Sequence, residues 1–365
     1  MVYNDSMKAR NYGIDLLRLL SMLFVVILHT LLISKLIVRD GESSAMFSVA
    51  WLLETLCYGA VNIFALISGY VGFREKEKPF KVGRLLSLWL QAVFYGLLMF
   101  VIYLIFKPEL ATRDVLYKSV MPVTHRSYWY LTAFLALYLA MPVLDAAVRG
   151  MKEKQLKRAI VVSLSVFSIL SLLNGDIFRF GSGYSFIWLA LLYFVGAAMK
   201  KSGFLGNARK NWCLVGFFVC SFIAWVLRVY GPNMHGLGLY ISKKAFVSYT
   251  SPFIVAASVL LVSFFSRLQI KKRTAAVISC FASCAFAVYL LNCNAFIWSD
   301  FLPNALGGMK GSGLGVIATM GCVLGFSLAF FVAAILIEKL RLIAIVLIKR
   351  GYCKIKKARG NKKSP

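Results

Sequence analysis

Ten apolar runs follow one another between residues 13 and 337, most of them 18 residues or longer, and this succession constrains the fold more than any other feature. About 18 or more apolar residues are what a helix needs to cross hydrocarbon. Inside a bilayer every backbone N–H and C=O must be satisfied internally, which leaves helices or a closed barrel. The runs show no alternation at period two, so the barrel is excluded. The expectation is an all-α, polytopic membrane protein. Its ten crossings are placed at about 13–36, 46–72, 85–106, 128–148, 159–174, 185–199, 212–230, 248–266, 275–298 and 313–337.

The charge fits that picture. A net charge of +28 on 365 residues would suggest nucleic acid in a soluble protein. Here thirty of the forty-two Lys and Arg fall at the two ends and in alternate connections, near 73–84, 149–158, 200–210 and 267–273. Eleven fall in the opposite connections, and Arg18 lies inside the first run. An excess of Lys and Arg marks cytoplasmic loops, so both termini are expected in the cytoplasm and no nucleic-acid role is needed. The first run is too long for a cleavable signal and lacks a small-residue cleavage site, so it is expected to stay as the first helix.

Residues 1–348 read as one integral membrane domain without a folded extramembrane part, and residues 349–365 as a basic cytoplasmic tail lying unstructured against anionic lipid heads. The longest outer connections, near 107–127 and 231–247, have room for a re-entrant piece or a short amphipathic helix. Eight cysteines show neither CxxC pairs nor repeated ligand spacing, and His, Cys and carboxylates do not cluster as a metal site requires.

The first run, GIDLLRLLSMLFVVILHTLLI, carries Asp15, Arg18 and His29. An ionisable group at mid-membrane costs roughly 2.5–3.5 kcal/mol on insertion scales, and such groups face a cavity or a partner. The eleven residues from Arg18 to His29 return to nearly the same helix face, roughly 16 Å further along. Asp15 precedes Arg18 by three residues and can pair with it. The Asp–Arg pair reads equally as an interfacial anchor of the helix end. His29 reads either as a neutral histidine bonded between helices or as a general base, which a neutral imidazole can be near pH 7.

More of the chain bears on the choice. IDLLRLLSMLFVVILH resembles the first helix of the type 3 membrane-bound acyltransferases, bacterial integral-membrane O-acyltransferases of cell-surface glycans, whose hallmark is an Arg, ten residues and a His. VNIFALISGYVGF resembles that family's Phe-rich segment closing on Ser-Gly-Tyr, here Ser68, Gly69 and Tyr70. SYWYLTAFLALYLAMPVLD, WLALLYFVGAAM and AFAVYLLNCNAFIW resemble its later helices in order.

The resemblance implies transfer of an acyl group, usually acetyl from cytoplasmic acetyl-CoA, to a hydroxyl of a cell-envelope glycan or its precursor, at the bacterial inner membrane. His29 is then the general base, and Arg18, oriented by Asp15, binds a CoA phosphate or the thioester region. Arg74, Lys78, Lys81 and Arg84 form a basic cluster for acyl-CoA, with Lys81-Val-Gly-Arg84 in place of the family's Arg-x-x-Arg. Lysine keeps the charge there and loses a bidentate phosphate fork. The acyl-CoA is a co-substrate, and no tightly bound cofactor is implied. Membrane lipid and the glycan acceptor are the other expected partners. On the acceptor side stand Glu54, which can instead pair with a base, His125, which can line an entry, Trp129 and Asn292. For Tyr128, Trp129 and Tyr130 an interfacial aromatic belt is the favoured reading. Ser68 is read as part of a small-residue turn rather than a nucleophile, and His235 as solvated.

One departure stands out. Where many relatives carry Tyr-Leu-x-His, this chain has Tyr289, Leu290, Leu291 and Asn292. An amide cannot take a proton near neutrality, which leaves His29 as the intramembrane base. The competing class is an exporter of polysaccharide or lipid-linked sugar.

Overall fold

The computed structural model describes residues 10–38, 44–77, 79–125, 127–173, 176–236 and 239–361. The chain runs as α1 (Tyr12–Ile33), α2 (Ser44–Cys57), α3 (Ala60–Gly72), α4 (Val82–Phe106), α5 (Arg113–Val120), α6 (Trp129–Gly150), α7 (Glu153–Leu172), α8 (Phe186–Ser202) and α9 (Lys210–Val229). A hairpin of β1 (Met234–Gly236) and β2 (Leu239–Ile241) follows, then α10 (Pro252–Ser266), α11 (Lys272–Ala282), α12 (Ala285–Asn292), α13 (Leu302–Leu306) and α14 (Val316–Asn361). This is an all-α, polytopic membrane architecture. Among the described residues eight segments are long and apolar enough to cross a membrane. The other two of the ten expected runs are helical but shorter, 17 residues in α8 and 15 in α10.

Several runs depart from simple rods. The second breaks at Tyr58 and Gly59, where a Cβ on Gly59 would stand 2.7 Å from the Ser258 hydroxyl of α10. The ninth divides into α11 and α12 and ends at Asn292, after which a single π turn spans Ile297–Phe301. Non-helical backbone at membrane depth is tolerated where protein buries it. The last run continues as one helix to Asn361, so the start of the basic tail is helical rather than unstructured. Of the two long connections, the first does hold a short helix, α5, capped by Thr112 and seated where Gly96 lets α4 approach Ser119. The second is not helical at its centre: Met234, His235 and Gly236 pair antiparallel with Ile241, Tyr240 and Leu239.

Small residues set the closest contacts, because lipid offers no hydrophobic drive between helices and van der Waals packing must supply the association. A Cβ on Gly69 of α3 would overlap the Tyr193 carbonyl of α8, and one on Gly196 of α8 would overlap the Leu66 carbonyl of α3. Around this seam lie the fully buried Leu17, Leu66, Trp188, Leu189 and Val262. Trp188 gives its indole N–H to Asn62, whose own amide bonds the Tyr249 carbonyl at 2.8 Å. The start of α1 is tied down twice. Asn11 caps it by accepting from the Ile14 amide, and donates to the Ser266 carbonyl at 2.6 Å.

Contacts between alternate connections gather the basic loops at one end. Lys200 donates to the Phe73 carbonyl, Lys201 to those of Val148 and Arg149, and Arg267 to those of Gly206 and Ala208. At the opposite end Trp51 donates to the Ile37 carbonyl, Trp225 to that of Ser48, and Tyr103 to Asp300.

Candidate active site

At the basic end Asp15 is buried in the first turn of α1 and accepts from two guanidinium groups. Arg10 Nε lies 2.5 Å from one oxygen and Arg18 Nη1 3.0 Å from the other. Charge-assisted bonds of this kind hold a carboxylate that burial would otherwise penalise. The expected Asp15–Arg18 pair is therefore present, with Arg10 as a further member. One nitrogen of Arg18 is spent on Asp15, and the guanidinium also feels the charge of Arg84 from α4.

The other cluster residues scatter around this point. Arg74 follows α3, and its Nε is buried with no hydrogen-bond partner among the described residues. Lys81 and Arg84 are exposed at the start of α4 and both meet Tyr138 of α6: its hydroxyl donates to the Lys81 carbonyl, and Arg84 Cζ stands 6.0 Å from its ring centre. Lys78 lies outside the described residues. The sequence reading missed Lys200 of α8, bonded to the carbonyl just before Arg74, and the Tyr193–Asp145 bond of 3.0 Å. Asp145 had a visible signal, since it is an ionisable residue inside an apolar run, as Asp15 is.

Further along α1, His29 Nδ1 bonds the side-chain oxygen of Asn292. An amide oxygen can only accept, so Nδ1 carries the hydrogen and the lone pair of the neutral ring stands on Nε2. The indole of Trp298, placed by the π turn, meets the imidazole edge-on, with centroids 4.8 Å apart and planes at 88°. Two groups thus fix the ring, one by a hydrogen bond and one by packing. The residue that departs from the family pattern, Asn292, is the direct partner of His29.

Aromatic rings link this point to a second polar cluster. Tyr289 lies 6.0 Å from Tyr130, Tyr130 5.6 Å from Trp129, and Trp129 4.7 Å from Tyr184. Tyr184 is 4.9 Å from Tyr249, which is 4.9 Å from Tyr58. Tyr128 is buried and receives the Asn294 amide, and Trp129 and Tyr130 pack inward as well. The three therefore line the interior, and the interfacial belt expected of them is not what they form.

At the far end of this chain of rings sits Glu54 of α2. It is 6% exposed, and its Oε2 has no hydrogen-bond partner among the described residues. Arg228 of α9 is near enough to act on it electrostatically while lying 3.9 Å over the Trp51 ring. His125 is exposed on the turn after α5, and His235 sits on the hairpin against Tyr240. Ser68 gives its hydroxyl hydrogen to the Phe64 carbonyl at 2.8 Å, as a serine within a helix commonly does. Among the described residues no three His, Cys, Asp or Glu side chains converge as a metal site would need.

The arrangement can therefore hold an anion at the basic end, accept a proton at Nε2 of His29, and present a carboxylate oxygen among rings beyond it. A family model described as an acyltransferase domain matches residues 11–344, which spans Asp15, Arg18, His29, Glu54 and Asn292. No curated protein and no solved structure matches the chain.

Proposed function

The chain belongs to the acyltransferase 3 family and is a membrane acyltransferase, and from that premise we propose that it moves a short acyl group, acetyl in the first instance, from cytoplasmic acyl-CoA to a hydroxyl of a cell-envelope glycan. The observation that supports this most directly is the His29–Asn292 pair on the α1 face that also carries Arg18. A base held in one tautomer is what attack by a hydroxyl on a thioester requires.

In this reading ten helices cross the bacterial inner membrane and both termini are cytoplasmic, so the basic end faces acyl-CoA. Arg18, Arg74, Lys78, Lys81 and Arg84, with Lys200, meet its phosphates. No group is tightly bound, and CoA enters and leaves as a co-substrate. The acceptor hydroxyl approaches His29 from the side of Trp129 and Glu54. Nε2 takes the hydroxyl proton as the oxygen attacks the carbonyl carbon. The tetrahedral centre then collapses, the C–S bond breaks, and the thiolate takes the proton back from Nε2. Asn292 holds Nδ1–H throughout, stabilising the imidazolium without accepting its proton.

The test is ester analysis of surface glycans by mass spectrometry in cells lacking the protein, complemented with wild type or His29→Ala at matched membrane levels. Restoration of an acyl mass by wild type alone supports the reading. Equal restoration by both removes His29 as the base. Loss of surface glycan on deletion, with glycan retained inside, replaces transfer by export.

A further inference from the structure

Two grooves flank the basic-end half of α14, away from His29, and each joins cations to aliphatic walls. The first lies between α14 and α4, encloses about 400 Å³, and is lined by Ser87, Gln91, Arg341 and Lys349 together with Leu86 and Leu90. The second, an open hollow of about 340 Å³ on the other side of α14, is formed by that helix alone and sets Lys339 and Arg350 at its two ends with Ile343 and Leu347 between them.

The first groove is built rather than incidental. Glu338, 2% exposed, accepts from Arg341 through Nε and Nη2, each at 2.6 Å, from the Tyr95 hydroxyl at 2.5 Å and from the Gln91 amide at 3.2 Å. The Arg341 guanidinium is thereby fixed in place, with its third nitrogen outside the carboxylate fork. Its charge is balanced by Glu338, so Lys349, eight residues or roughly 12 Å further along the helix, supplies the net positive charge. In the second groove Lys339 donates to the Cys280 carbonyl, which does not neutralise it.

The walls identify the ligand. Leu86 and Leu90 are more than half exposed, as are Ile343 and Leu347, and all four belong to segments apolar enough to cross a membrane. In a bilayer they face acyl chains. A soluble anion would leave them uncovered, and a lipid without charge would leave the lysines unpaired. Basic pockets between helices at the membrane surface take phosphate head groups. We propose that this end of α14 binds an anionic diacyl phospholipid, with its phosphate at Lys349, its head-group hydroxyls at Ser87, and its chains descending along Leu86 and Leu90 toward the Arg341–Glu338 pair that closes the groove. The groove across α14 takes a second such molecule. The site is separate from the donor path, because Arg84 of the same helix α4 is turned toward Tyr138 of α6.

The test is native mass spectrometry of the purified full chain with phosphatidylglycerol, phosphatidylethanolamine and phosphatidylcholine of identical chains. Phosphatidylglycerol is expected to stay bound as one or two discrete adducts at energies that strip phosphatidylcholine. Lys349→Gln combined with Arg350→Gln lowers its retention by about fivefold at each groove, a loss in keeping with one cation removed from each at a membrane surface. Equal retention of the three lipids overturns the proposal, as does unchanged retention in the double variant. Displacement of phosphatidylglycerol by glycerol phosphate alone would make the groove a site for soluble phosphate. Displacement by coenzyme A would assign it to the donor path. Either result also overturns the proposal.

Discussion

His29 and Glu54 are both titratable side chains set in apolar helices, and the structure treats them in opposite ways. The imidazole is held by Asn292 on one edge and by the Trp298 ring against another. The carboxylate keeps one buried oxygen without a partner among the described residues, and its countercharge, Arg228, is stacked over Trp51. Buried polar groups are nearly always hydrogen-bonded, so an unmet acceptor marks a place completed by something that arrives. The satisfied residue has the features of a reacting centre, which gains from a fixed geometry before substrate binds. The unsatisfied one has the features of a binding contact.

The largest effect expected from this contrast falls on His29. Replacing it with Ala removes the proposed base, and general-base catalysis contributes roughly 10²- to 10⁴-fold. The variant should reach the membrane at wild-type level and lose acyl transfer from acyl-CoA by that factor in a release assay for free CoA. Retained transfer would reduce the His29–Asn292 pair to a structural bond between α1 and α12.

Asn292 comes next. Asn292→Ala frees Nδ1 and lets the ring turn, and a small misplacement of a reacting group costs about 10- to 100-fold. The loss should appear in kcat rather than in the KM for acyl-CoA, since Asn292 lies apart from the Arg18 cluster. Asn292→His, which restores the residue common among relatives, should recover activity more fully than Ala. If Ala and His variants both match wild type, His29 does not need its partner and the contrast with Glu54 fails.

Glu54 should respond differently. Glu54→Gln keeps the shape and replaces one carboxyl oxygen by an amide donor. On the binding reading the acceptor KM rises by roughly tenfold, the worth of one hydrogen bond to a charged group, and the KM for acyl-CoA stays put. A fall in thermal midpoint with both KM values unchanged would make Glu54 the structural partner of Arg228 and remove the acceptor side from this cluster.

Periodicity and charge placed the helices well and their partners poorly. Each of the ten apolar runs is helical, because run length and the Lys and Arg bias report membrane crossing directly. The Asp15–Arg18 pair was legible because three residues along one helix fix the geometry. The Asn292–His29 bond was not. It joins residues 263 apart, and the substitution at 292 was visible only as a departure, without the residue it faces. The inward turn of Tyr128, Trp129 and Tyr130 was hidden for a related reason, since an aromatic at a helix start has the same sequence signature at a lipid surface and inside a bundle. The breaks at Gly59 and after Asn292 depend on what α10 and the π turn press against them. The continuation of α14 escaped notice because a basic stretch reads as a tail whether or not it is helical.

An ion pair at the rim calibrates the two buried sites. Lys107, just past α4, holds Asp300 at 2.7 Å, and the Tyr103 hydroxyl reaches the same carboxylate at 2.8 Å. The lysine bonds, and then the tyrosine bond, hold the Asp300 carboxyl below the usual range. A depressed folded-state value contributes stability above the unfolded carboxyl pKa of about 3.9, and that contribution is lost as pH falls through the folded value. Asp300→Asn should therefore lower the thermal midpoint in detergent near pH 7 by only about 1–2 °C, as exposed pairs do, and the gap from wild type should close toward pH 3. A gap several times larger would mean that a rim pair matters to the fold as much as a buried one. The burial that separates His29 and Glu54 from the surface would then no longer explain why their substitutions are expected to act on chemistry and binding.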